Sequence, residues 1–476
     1  MSRALAIAAL VLTASAVGSC SREVDPIAPT VRNVVVILVD TLRPDHLGTY
    51  GYDRDTSPTI DALADRGVTF ENAFVQAPWT TPSIASMLCG LYPTAMDLGF
   101  WSDPGKVGGS VDTLAEVLRD AGFRTHAVTA KGGTNAEFGF SQGFDSYDED
   151  AGYIQLAAER VESFLGDLGE DERFFLFLHT LDVHNFNPLG EYRDRFVAPY
   201  EGDVIPADLP ANEINRFLQG WKTRVETSEF GDAEWAYIRS LYDACIRMVD
   251  DQLARVIAKL KETGRYDDTL IIITSDHGEE FGEHGFSGHG YTMYDENIRV
   301  PFILSHPSLP KVQLAPLVRM LDLAPTVAAL CGVEPSRQWQ GVDLAPVIEG
   351  RDLSLPVYVE CAHSHLKTLR TEDAKLIAGK ARPGVRLFAL NDDPAEKSNL
   401  AEDPASAKQL EAMKRALLKW VRSNAGLAAK FSGRGGDAGM SEDARREMEA
   451  LGYTGAGRKT GGGPGEFDWE GLLGKP

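Results

Sequence analysis

Asn33–Asp40, NVVVILVD, is an unbroken run of β-branched and apolar residues closed by a carboxylate. No polar position alternates with the apolar ones, so the run predicts a strand buried on both faces, as in a parallel sheet covered by helices. The same shape recurs at Phe123–Thr129, at Phe174–Leu178 (FFLFL, followed by polar residues from His179 to His184) and at Leu270–Thr274 (LIIIT, followed by Ser275-Asp276-His277). Between these runs the spacing becomes helical. Asp112–Ala121 is amphipathic and stops at Gly122, and Glu234–Leu260 is a long helical pattern closed by Gly264. Alternating strands and helices predict an α/β sandwich with a mainly parallel central sheet. Such sheets bind ligands beyond the carboxyl ends of their strands, and three of these strands end in Asp or His.

After about residue 350 the pattern shortens. Val357–Glu360, the stretch Leu366–Ile377 and Val385–Leu390 are spaced as in an antiparallel sheet, and a helix is expected over about Ala405–Ser423. Residues 33–350 are therefore read as one large α/β domain and 351–425 as a smaller C-terminal α+β subdomain. Residues 426–476 are glycine-rich, with one helical island at Ser441–Leu451, and read as a largely disordered tail with a docking segment.

The start of the chain reads as an address. One Arg precedes an apolar and small stretch from Ala4 to Gly18, a signal-peptide pattern too short to span a bilayer. Its end, small residues before Cys20, resembles the lipobox of bacterial lipoproteins. On that reading residues 1–19 are removed, Cys20 carries lipid, and residues 20–32 are a tether. The protein is then expected in a bacterial cell envelope, facing the periplasm or the cell surface, with a membrane as its partner through Cys20.

Composition alters this picture only slightly. The chain of 476 residues carries a formal net charge of −23, and 43% of its residues are hydrophobic. So acidic a chain repels phosphate backbones, which argues against nucleic acid as a partner. The five cysteines are scattered without a CxxC pair, so neither a zinc ribbon nor a disulfide scaffold is indicated.

Candidate chemistry falls into three groups. In Trp79-Thr80-Thr81-Pro82-Ser83, Pro82 suits the first turn of a helix with Thr80 or Thr81 as its cap. A hydroxyl there stands among free N–H groups that favour an anionic ester; a plain threonine cap is the competing reading. Ser275-Asp276-His277-Gly278-Glu279 follows a buried strand and offers one oxygen and one nitrogen to a cation. With Asp40 from another strand end, the set becomes Asp40, Asp276, His277 and the Thr80 hydroxyl, whose pKa a metal would lower. A nitrogen ligand favours Mn²⁺ or Zn²⁺, with Ca²⁺ the alternative. The third group is Lys131, His179, Asp182, His184, His284 and His289, able to hold ester oxygens, move a proton or, for His179 and Asp182, support a second metal. His46, His126 and His306 read as structural or surface residues.

Taken in order, NVVVILVDTLRPDHLGTYGY, TSPTIDALADRGVTFENAF, TTPSIASMLCG, GFDSYDED, YDACIRMVDDQL, TLIIITSDHGEEFGEHG, YDENIRVPFIL, LDLAPTVAALCGV and FALNDDPAEKSNLAEDP resemble the sulfatase family of the alkaline phosphatase superfamily. The resemblance implies a large α/β domain, a smaller antiparallel subdomain and metal-assisted ester hydrolysis. It also has departures. Thr80 stands where true sulfatases carry the Cys or Ser that becomes formylglycine, and Ile84 where their motif has Arg. Asp40-Thr41 replaces a pair of acidic residues, and Lys131-Gly132-Gly133 replaces a Lys-Trp-His segment. The remaining set is similar to superfamily branches in which a metal-bound threonine attacks phosphorus. That similarity implies Asp40, Asp276 and His277 as ligands and Thr80 as nucleophile. It also implies His184 and Lys131 on the equatorial oxygens, and His289 as a further oxygen ligand or general acid.

The expected function is thus hydrolysis of an anionic ester (a glycan, lipid headgroup or small molecule), a phosphoester or phosphodiester rather than a sulfate ester. The alternatives are sulfate-ester hydrolysis without formylglycine, transfer of a phospho-headgroup, and an inactive binding protein.

Overall fold

The computed structural model describes residues 31–99, 105–197, 199–206, 209, 230–362, 364–380, 384–431, 440–450 and 467–474. The leader, Cys20 and most of the expected tether lie outside the described residues.

Ten strands precede residue 320: β1 (Asn33–Val39), β2 (Gly67–Phe74), β3 (Arg124–Thr129), β4 (Ser146–Asp148), β5 (Phe174–Thr180), β6 (Thr269–Thr274), the short β7 (Glu280–Phe281) and β8 (Ser287–Gly288), β9 (Arg299–Ser305) and β10 (Val312–Arg319). Eight of them form one sheet in the order β10-β2-β9-β6-β1-β5-β3-β4, in which β9 alone runs antiparallel to its neighbours. Helices α1 (Pro58–Ala64), α2 (Thr80–Cys89), α3 (Leu114–Asp120), α4 (Ile154–Gly166), α5 (Gly190–Phe196), α6 (Asp232–Glu262) and α7 (Leu323–Leu330) cover the two faces. The apolar runs are continuous because both faces of a strand are buried. Val34, Val36 and Leu38 pack into one core with residues of α2, α3 and α7. Val35, Ile37 and Val39 pack into another with α4 and α6.

The register positions the chemistry. Leu38 of β1 pairs with Thr274 of β6 on one side and His179 of β5 on the other, and His179 pairs with Thr129 of β3. Four parallel strands therefore finish level, and Asp40, Asp276, His179 and Lys131 emerge on one edge of the sheet.

The second domain is an antiparallel sheet of β11 (Val357–Cys361), β12 (Leu366–Arg370), β13 (Ala374–Gly379) and β14 (Val385–Ala389), packed on α8 (Ala407–Phe431). The expected stretch Leu366–Ile377 is two strands, because the turn at Thr371–Asp373 reverses the chain. In the tail, α9 (Glu442–Ala450) buries Ala444 and Met448 in the larger core, and α10 (Trp469–Leu473) buries Leu473 against the second sheet. The described parts of the tail thus dock at two places. No helix among the described residues is long and apolar enough to cross a membrane.

Candidate active site

At the end of β1 the chain turns sharply. Thr41 has φ 60°, a left-handed conformation that a β-branched residue adopts only under constraint. The constraints are visible. The Tyr242 hydroxyl of α6 donates to the Thr41 carbonyl at 2.6 Å and accepts from the Arg43 N–H at 2.8 Å. Leu42 N–H donates to Ser275 Oγ at 2.9 Å, and Thr41 N–H to Asp276 Oδ1 at 3.3 Å. This turn sets Asp40 beside the β6 terminus.

Helix α2 closes the other side. Trp79 occupies its N-cap in extended backbone, so Thr80 is the first helical residue rather than the cap. The Thr80 hydroxyl instead lies 3.3 Å from Asp40 Oδ2 and 3.3 Å from His277 Nε2. Ser83 Oγ donates to the Asp276 carbonyl at 2.5 Å, and Thr81 Oγ1 to the Gly133 carbonyl at 3.0 Å. Gly133 has φ 111°, and a Cβ there would meet Thr81 Oγ1 at 2.9 Å and Thr80 Cγ2 at 3.3 Å. Only glycine lets the loop after β3 approach the helix start so closely.

Asp40, Asp276 and His277 are fully buried and can each place one ligand atom within 4.8 Å of the others. His277 Nδ1 lies 2.9 Å from the Gly278 carbonyl, to which it must donate, and this turns Nε2 toward the carboxylates, 3.3 Å from Asp276 Oδ2. Asp40 Oδ1 and Asp276 Oδ2 are buried without a hydrogen-bond donor. Burial, and then the Asp276 carboxylate beside it, push the Asp40 pKa well above the ordinary range. Two buried carboxylate oxygens without a donor, beside an imidazole nitrogen, make a donor set that fits a divalent ion with mixed oxygen and nitrogen ligands.

The remaining candidates lie at different distances from this centre. His179 Nε2 is 3.4 Å from Asp40 Oδ2, and burial lowers its pKa to about 4, so it is neutral at pH 7. Asp182 accepts from the Ile154 N–H at 2.8 Å and from Thr180, serving the start of α4 rather than a second metal with His179. The His289 ring centroid is 4.2 Å from that of His277 and 5.2 Å from that of His184. Its Nδ1 is 3.0 Å from Glu279 Oε2. Lys131 pairs with Asp150 at 3.0 Å on the rim. His284 stacks on Tyr294 and reaches Glu296, away from the centre. His46 binds Asp243, His126 stacks on Phe164, and His306 binds Ser308, all in structural roles.

Tyr242, Glu279, Gly133 and Ser83 were not singled out from the sequence. Glu279 sits three residues past Asp276, a visible signal. Tyr242 is separated from Thr41 by 201 positions, and nothing local marks it.

The sulfatase family model matches residues 32–333, well over half the chain. The chain belongs to the sulfatase family. A second model, N-sulphoglucosamine sulphohydrolase, C-terminal, matches residues 282–423. Among family members, the chain is 26% identical to YidJ of Escherichia coli strain K12, described as an uncharacterized sulfatase, over 82% of this chain and 87% of that one. It is 28% identical to the choline-sulfatase of Rhizobium meliloti strain 1021, over 78% and 83%. The phosphonate monoester hydrolase of Agrobacterium radiobacter shares the fold, with a TM-score of 0.63 at 21% identity over 84% and 96%. The protein is therefore a sulfatase-family ester hydrolase, of a family whose enzymes depend on metal.

Proposed function

We propose that Thr80 is the nucleophile of a metal-dependent hydrolase acting on a phosphoester or phosphodiester in preference to a sulfate ester. The observation that carries this reading is the Thr80 hydroxyl, buried at the start of α2 and 3.3 Å from both Asp40 and His277. Asp40, Asp276 and His277 would hold the ion (Mn²⁺ or Zn²⁺ before Ca²⁺), with Thr80 Oγ1 as a fourth ligand. Such an ion supplies Lewis acidity, lowering the hydroxyl pKa and drawing charge from the ester.

The chain supplies the rest. Thr80 Oγ1 passes its proton to Asp40 Oδ2, 3.3 Å away, and forms the bond to phosphorus as the ester oxygen leaves; that proton returns to Oγ1 when water cleaves the phosphothreonine. The positive end of α2, with Lys131 and His184, holds the non-bridging oxygens. His289, oriented through Nδ1 by Glu279, protonates the leaving oxygen, then takes a proton from the water that cleaves the phosphothreonine. Phosphorus suits a threonine better than sulfur does. An aldehyde hydrate keeps a second hydroxyl able to expel sulfate, whereas a threonine ester must be cleaved by a second attack at the central atom.

The named sulfatases among the relatives favour a second reading, sulfate-ester hydrolysis at the same threonine. The test is metal-stripped protein assayed on aryl phosphate, aryl phosphodiester and aryl sulfate, with Mn²⁺, Zn²⁺ or Ca²⁺ restored. Phosphate turnover above sulfate, lost in Thr80→Ala, is expected. Undiminished turnover in Thr80→Ala removes the nucleophile assignment, and sulfate turnover above both phosphates selects the second reading. The lipobox-like leader further supports a lipid-anchored protein of the bacterial envelope.

A further inference from the structure

His289, the proposed acid, sits on a backbone that does little by itself to hold it. Gly288 (φ 87°) and Gly290 (φ 82°) flank it, both in the left-handed region that favours glycine, so restraint has to come from neighbouring segments. Glu279 Oε2 holds the ring, 3.0 Å from Nδ1. The Cys361 thiol, at the end of β11 in the smaller domain, donates to the Gly290 carbonyl at 3.2 Å. The Thr292 hydroxyl, three residues past His289, donates to Glu280 Oε2. Of these partners Glu280 is the one without an evident reason to be charged. It is 1% exposed, its Oε1 has no hydrogen-bond donor, and it forms no ion pair among the described residues. Burial pushes its pKa well above the ordinary carboxylate range. Such burial is costly, and packing alone would be served by an apolar side chain. What the carboxyl adds is an acceptor. Asn297 Nδ2 donates to the same Oε2 at 2.9 Å and to Thr292 Oγ1 at 2.6 Å, and the Asn297 carbonyl accepts from the Gly278 N–H at 3.0 Å, next to His277. Glu280 also pairs with Gly288 where β7 meets β8. One residue therefore grips the chain on both sides of His289, through its backbone before the histidine and through its carboxyl after it.

We propose that Glu280 is a positioning residue for His289, fixing the loop Gly288–Thr292 through its strand pairing with Gly288 and its bond from Thr292, so that the imidazole is set to protonate the leaving oxygen. This rests on the reading of His289 as the acid and deepens it; it holds equally for a phosphate or a sulfate ester.

The experiment compares phenyl and 4-nitrophenyl esters of whichever class, phosphate or sulfate, the Mn²⁺-loaded protein turns over. 4-Nitrophenolate departs readily without a proton, whereas phenolate leans on an acid, and kcat/KM reports the steps through that departure. His289→Ala is the reference, expected to lose about 100-fold more on the phenyl ester than on the 4-nitrophenyl ester. Thr292→Val removes only the hydroxyl and is expected to show the same selective loss, about tenfold, with Glu280→Leu losing as much or more. Thr292→Ser keeps the hydroxyl and is expected to restore the wild-type ratio of the two esters. Equal losses on both esters in Thr292→Val, or no loss, overturn the positioning role while His289→Ala remains selective. Weakened Mn²⁺ binding by calorimetry in Thr292→Val, with equal losses, assigns the bond to the metal centre and also overturns it. Equal losses on both esters in His289→Ala overturn the acid reading, and the proposal with it. Should Glu280→Leu fail to fold, Thr292→Val decides by itself.

Discussion

The hydroxyl of Tyr242 donates to the Thr41 carbonyl at 2.6 Å and accepts from the Arg43 N–H at 2.8 Å, so one phenol from the middle of α6 closes the turn that presents Asp40. Tyr242→Phe leaves a buried carbonyl and a buried N–H without that partner, at a cost of about 1–3 kcal/mol. The expected outcome is weaker Mn²⁺ binding by calorimetry, with most activity restored at saturating metal. Unchanged metal affinity with a lowered melting temperature would reduce Tyr242 to a packing role.

Asp40 and Asp276 face each other without a donor on their inner oxygens, so the metal-free protein carries a local repulsion. Asp40→Asn is expected to raise the melting temperature of the metal-stripped protein, by about 1–2 kcal/mol of stability, while abolishing turnover. The stabilisation that metal gives the wild type should shrink in the same variant. Thermal unfolding with and without Mn²⁺ measures both.

Asp250 of α6 accepts from the N–H groups of Thr59 and Ile60, and burial raises its pKa to about 7. Its folded pKa lies above the unfolded value near 4, so its contribution is fully present below about pH 4 and is lost as pH rises through 7. The difference in unfolding free energy between wild type and Asp250→Asn should therefore change between pH 4 and pH 7 by on the order of a few kcal/mol, in the wild type's favour at the acidic end. Urea titrations of both proteins at several pH values give that difference directly.

Lys375 is fully buried, with its ammonium 2.8 Å from both Asp295 and Glu396. Lys375→Met leaves Glu396 buried without its cation and Asp295 with Arg370 alone, and should cost about 3–5 kcal/mol. The double variant Lys375→Met/Glu396→Gln should recover part of that loss, as read by denaturant midpoints.

If Cys20 carries lipid, Cys20→Ser moves the protein from the membrane fraction to the soluble fraction and removes the mass of the acyl groups. Cell fractionation with intact-protein mass spectrometry decides this.

Where the site was legible in the sequence, a physical signature stood in one short segment. Asp40, Asp276 and His277 each follow an apolar run too hydrophobic to be anything but a doubly covered strand, and parallel strands end together. Thr80 was legible as a helix-start hydroxyl, but its position inside the helix depends on Trp79 taking the cap in extended backbone. Lys131 illustrates the opposite case. Its ion pair with Asp150 arises because β3 and β4 lie side by side, a neighbourhood set by tertiary structure. The Thr371–Asp373 reversal was hidden for another reason, since apolar residues on either side made the stretch look continuous.

Gly133 ties the loop after β3 to the start of α2. Any side chain at 133 in this backbone would press on Thr81 and Thr80 at a positive φ. The loop and the helix start are therefore a matched pair. A chimaera that exchanges only one of the two segments will be mismatched at Thr80 and Thr81.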